Sequence, residues 1–144
     1  LRSAGIPARE VFGIRLGRSH FSKALGKSDE NGFADISGWQ HCRVEYYIPG
    51  AGWIPSDPAD ITKLELVEKL DYKNPRVQEL KKRYLLSWEM NWMGFNHARD
   101  FVLYPKPEQY PINMLGYPYG EVEDEVLDYY SPKKFIYRIT SQEL

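Results

Sequence analysis

The sequence predicts an α+β fold, an antiparallel β-sheet core with flanking helices, as a single domain over residues 1–144. Three observations point there. Aromatic and β-branched residues on both sides of Pro49-Gly50-Ala51-Gly52 spell a hairpin, helical spacing follows it, and short proline-split β segments close the chain. With 144 residues the chain can hide roughly 68% of its unfolded surface, enough for a core without staples.

Composition narrows the classes further. Apolar residues at 42% exclude a disordered chain, and no apolar run approaches the roughly 20 residues of a membrane span. Nineteen Lys and Arg against 20 Asp and Glu leave a net charge of -1, so no basic field for nucleic acid is expected. Cys42 is the single cysteine, which excludes an internal disulfide framework and a multi-cysteine zinc site.

The elements follow in order. Leu1 to Ala4 reads as the last turn of a helix stopped by Gly5, with Pro7 beyond it, so the helix body is expected upstream of residue 1. Residues 10–16 read as a strand through Val11, Phe12, Ile14 and Leu16, and residues 17–38 as a long polar loop. Residues 39–48 and 53–55 form the hairpin. Thr62 and Glu65 have capping-box spacing ahead of Leu64, Val67 and Leu70. Asn74-Pro75 starts a second helix whose Val77, Leu80, Tyr84 and Trp88 share one face. Residues 101–104, 115–119 and 135–140 are expected as short or edge strands, restricted by Pro105, Pro107, Pro111 and Pro118.

The hairpin carries the densest chemical signal. If Tyr47 faces Trp53, antiparallel partners sum to 100 and Arg43 faces Asp57. His41, two residues from Arg43, lies on the same face and becomes a diagonal neighbour of Asp57, with backbones roughly 7–8 Å apart. An imidazole–carboxylate pair is therefore geometrically allowed. Each residue also has a plainer reading: a structural histidine, and a turn-forming aspartate before Pro58.

Several segments tie these residues together. The His41-x-x-x-Glu45 strand, the Gly52-Trp53-Ile54-Pro55 turn, Asp57-Pro58 and the earlier Ala4-Gly5-Ile6-Pro7-Ala8-Arg9 stretch resemble the transglutaminase-like superfamily of papain-type cysteine enzymes. Arg99-Asp100 with Leu103 and Pro105, and Tyr117-Pro118-Tyr119 with Glu121, are similar to later segments of bacterial members. The resemblance implies a cysteine-proteinase-type fold whose N-terminal, nucleophile-bearing helix is truncated, the chain beginning at the end of that helix. It implies an acyltransferase or hydrolase working through a thioester, with His41 as general base and Asp57 orienting its ring. The nucleophilic cysteine of the pattern has no counterpart in this chain, which alone is expected to be inactive. Arg43 stands where many members have tryptophan. Cys42 neighbours His41 on a strand, so it points to the other face and reads as a small buried hydrophobe.

The remaining expectations are plainer. Glu45 reads as an ion-pair partner of Arg9 or Arg43. His20 and His97 read as solvent-facing or structural, no cofactor or metal site is expected, and residues 121–125 read as a solvated charged surface. Trp88, Trp92, Phe95, Phe101 and Tyr104 fit a core better than a sugar-binding platform. The partner expected is a protein or peptide substrate, with no nucleic acid and no membrane segment. A face uncovered around Val11, Ile14 and Val44 would favour a homo-oligomer. Cytoplasmic and secreted locations both remain open. The alternative function is a non-catalytic protein-interaction module on the same fold.

Overall fold

The computed structural model describes residues 1–106 and 111–144, so the expectation at Pro107 lies outside the described residues. A 3-10 turn at Arg2–Ala4 is closed by Gly5 in the left-handed region. The chain then enters β1 (Ala8–Arg15), β2 (Phe33–Asp35), β3 (Gln40–Ile48) and β4 (Gly52–Ser56). Two helices, α1 (Pro58–Glu68) and α2 (Pro75–Tyr84), precede β5 (Trp92–Asn96). Three short strands follow: β6 (Glu121–Val122), β7 (Glu125–Val126) and β8 (Thr140–Gln142). The four-stranded sheet has the order β4-β3-β1-β5, and all its pairings are antiparallel. The architecture is α+β.

Alternation along β1 divides the molecule. Arg15 points toward α1, where it meets Asp60, and Ile14 points to the opposite face. There Ile14 packs with Ala34 of β2 and Ile36, joined by Leu16, Trp39 and Ile139. The β2–β8 pair, whose partners lie more than 100 residues apart, covers that face. The exposure expected around Val11, Ile14 and Val44 is therefore absent: Ile14 is buried and the other two are half-buried.

The second core lies under the helices. Leu64, Val77, Leu80 and Tyr84 are fully buried with Leu25 and Ile61. Each large apolar side chain there stabilises by about 1.5–3 kcal/mol relative to exposure. Helix α2 begins as Asn74-Pro75 predicts, with the Asn74 side chain accepting from Arg76 N at 3.0 Å. It stops at Tyr84, so Trp88 lies beyond the helix, packed edge-on against Trp92.

Helix α1 corrects one expectation. It starts at Pro58, and its cap is Asp57, whose Oδ1 accepts from Asp60 N at 3.1 Å. Pro58 presets the first helical φ and an N-cap aspartate satisfies an otherwise orphaned donor, so the helix nucleates four residues before Thr62. The strands expected at 101–104, 115–119 and 135–140 reduce to a single Phe101–Ile112 bridge and to β8, which only begins at Thr140. Two aromatic expectations also change, because Phe95 is 47% and Tyr104 100% exposed. Cys42 is exposed rather than buried. The 121–125 charge run folds into a hairpin whose turn residues Glu123 and Asp124 both have positive φ.

Candidate active site

The β3–β4 register places Tyr47 opposite Trp53, and the ladder ends at Val44 opposite Ser56. The next residue, Asp57, leaves the sheet and caps α1 while its own N–H donates to Tyr84 O at 2.6 Å. One residue thus closes a strand, starts a helix and is pinned to the end of a second helix. That rigid corner aims its carboxylate back at the face carrying His41 and Arg43.

His41 Nε2 lies 2.8 Å from Asp57 Oδ2, with the imidazole 11% exposed and the carboxylate fully buried. Among the described residues the ring's Nδ1 has no hydrogen-bond partner. A carboxylate on Nε2 favours the proton there, leaving Nδ1 as the basic nitrogen. Trp92 Nε1 donates to the His41 carbonyl at 3.0 Å, fixing the backbone under the ring.

Two arginines complete the cluster. Arg43 Nε donates to Asp57 Oδ2 at 2.9 Å and Nη1 to Glu89 O at 2.6 Å. Its Nη2 has no hydrogen-bond partner among the described residues, and the guanidinium lies 4.8 Å from the Trp92 ring centroid. This cation–π contact supplies part of what that nitrogen lacks. Arg15 clamps both carboxylate oxygens of Asp60, one of them at 2.9 Å. Asp60 Oδ1 is also 3.6 Å from His41 Nε2. The imidazole therefore faces two buried carboxylates, each backed by a guanidinium.

This environment sets the protonation states. Burial lowers the His41 pKa, against the raising pull of Asp57, while Arg15 and Arg43 lower it further. Burial works to raise Asp57, but the His41 hydrogen bond and the His41 and Arg43 charges outweigh it and hold the group below the usual range. Asp60 is pushed up to about 7, first by burial and then by the Asp57 charge, against the pull of Arg15. Near neutral pH the site holds a neutral imidazole bonded to an ionised Asp57. That is the resting state of a general base.

Among the described residues, His41, Asp57 and Asp60 form a group whose donor atoms lie within 4.8 Å of one another, the spacing of a metal site. Their oxygens are already engaged. Asp57 Oδ2 serves His41 and Arg43, Oδ1 serves the Asp60 amide, and Arg15 holds Asp60. A cation would have to displace two guanidiniums, so the donor set fits an ion-pair cluster.

Cys42 does not join this group. It lies on the face of β3 opposite His41, exposed, with its thiol pushed above its usual value by partial desolvation and by Glu10. Glu45 pairs with Arg9 at 2.7 Å, one of the two partners expected, and His20 and His97 are exposed. Asp60 and Arg15 were not anticipated. The legible sign of Asp60 was its spacing: three residues after Asp57, it stands one turn into a helix opened by Pro58, on the capping residue's own side.

Residues 1–58, which include the first two long strands, the β3–β4 hairpin and Asp57, match the Transglutaminase-like superfamily. An uncharacterized protein of Haemophilus influenzae is 51% identical over 148 aligned positions, covering 99% of this chain and 40% of its own length. The chain thus spans about two-fifths of that relative. No solved structure matches. The segment that supplies both His41 and Asp57 is the one that is similar to the Transglutaminase-like superfamily.

Proposed function

We propose that His41 and Asp57 are the base and orienting carboxylate of a cysteine acyl-transfer site acting on an amide bond of a protein or peptide. The observation that carries this reading is the 2.8 Å bond between His41 Nε2 and the buried Asp57, inside the family-matching segment. Nδ1 accepts the proton of a thiol, and the thiolate attacks the amide carbonyl. The imidazolium returns that proton to the leaving amine, so a thioester forms as the amine departs. Water or a second amine, deprotonated by the same nitrogen, then cleaves the thioester. Asp57 keeps the ring oriented and stabilises the imidazolium. The fold would be the cysteine-proteinase type.

The thiol in this scheme belongs to a cysteine of the intact protein outside residues 1–144, because Cys42 is on the wrong face of β3. The chain by itself is then inactive. The test is alkylation and turnover in the intact protein. A pH-dependent, iodoacetamide-sensitive thiol should acylate with a peptide thioester-forming substrate, and His41→Ala should abolish both its enhanced alkylation and turnover. Normal alkylation and no acylation in the unmodified protein would instead support a binding module that keeps the fold without the chemistry.

A further inference from the structure

His41 and Asp60 stand on the wall of a cleft of about 370 Å3, within the usual size of a ligand pocket. Its rim is unusual for a chain whose net charge is -1. Lys23 and Lys27, from the loop after β1, and Lys63, from α1, converge on it from two separate elements. All three are exposed, and none makes an ion pair or hydrogen bond with another of the described residues. The one acidic side chain on the wall is Asp60, which Arg15 already holds. Burial, with the Arg15 charge behind it, pushes Lys63 below the usual lysine value, against the opposing pull of the Asp60 and Asp57 carboxylates.

An unpaired cationic rim around a concave site concentrates field lines and recruits the opposite charge. Gln40 and Trp39 on the same wall add an amide and an aromatic surface, so the cleft has the means to hold a peptide as well as its charge. We infer that this cleft binds an acidic peptide segment, whose carboxylates lie against Lys23, Lys27 and Lys63 and bring an adjacent amide to His41. The inference rests on the acyl-transfer reading only for what happens to that amide. Binding itself does not need the imidazole.

The test is fluorescence anisotropy of the intact protein with a labelled Glu-Ala repeat peptide, its Gln-Ala counterpart, and a single-stranded oligonucleotide of equal charge. The Glu peptide should bind at least about tenfold more tightly than the Gln peptide, and binding should weaken as salt rises from low to physiological strength. Each Lys→Gln change at 23, 27 or 63 should weaken it about two- to fivefold, as for exposed ion pairs. The triple variant, checked for an unchanged melting temperature, should lose the preference for glutamate. His41→Ala should keep it, so loss of acyl transfer with retained peptide binding separates the two readings. Equal binding of the Glu and Gln peptides, wild-type binding by the triple variant, or tighter binding of the oligonucleotide would each overturn the inference.

Discussion

Asp57→Asn tests the structural centre of the site. The substitution keeps an oxygen that can cap α1 and accept from one neighbour, because asparagine caps as well as aspartate. What it removes is the negative charge beside Arg43, whose side chain is 0% exposed and bonded at 2.9 Å. Leaving one member of a buried ion pair uncompensated costs about 3–5 kcal/mol. A chain of 144 residues has an unfolding entropy of about 0.3 kcal/mol/K, so the melting temperature should fall by about 10–16 °C. Asp57→Ala should lose a further 1 kcal/mol or so with the cap. Urea unfolding with intrinsic tryptophan emission, paired with thermal melts by circular dichroism, would measure both. The double variant Arg43→Met/Asp57→Asn should be destabilised by clearly less than the two single changes together, because neither charge is then stranded. If Asp57→Asn changes stability by less than about 1 kcal/mol, or the double variant is additive, Asp57 is not the counter-ion described and the electrostatic account of the site is wrong.

Other consequences are open to measurement. His41 binds its proton less readily folded than unfolded, so its contribution to stability is complete above about pH 6.5 and is lost as pH falls through the lower folded value; imidazole NMR titration should place its midpoint below that of a free histidine. Asp60 has the opposite sign: with its folded pKa at about 7, its contribution is lost as pH rises from about 4 to 7. The stability of Asp60→Asn relative to the unmodified protein should therefore increase with pH over that window, and a flat or falling difference would contradict the buried-carboxylate account. Gly13 sits where a Cβ would come within 2.3 Å of the Trp92 ring, so Gly13→Ala should cost about 1–3 kcal/mol and alter the near-UV tryptophan signal. Asn74→Ala removes the α2 cap and should cost about 1 kcal/mol by urea unfolding.

Local chemistry in the sequence determined what depends on neighbours along the chain. Asn74-Pro75 and the Val77-Leu80-Tyr84 spacing marked α2 and its buried face, because capping and a 3.6-residue period are properties of a few consecutive residues. The Pro49–Gly52 turn set the hairpin register, and a register with a two-residue alternation is enough to bring His41 near Asp57. Even the left-handed cap at Gly5 was legible. Tertiary structure alone decided whatever joins distant segments. The pairing of β2 with β8 burdens neither segment with a strong local pattern, yet it covers Ile14 and removes the bare face expected there. β5 was invisible because Trp92 and its neighbours are held by pairing with β1 and by packing over Gly13. The Arg15–Asp60 clamp draws on β1 and α1, 45 residues apart, and Arg43 reaches Glu89 across 46. A lone charged residue carries no sign of the partner that will neutralise it, since that partner is chosen by the desolvated space the completed fold encloses.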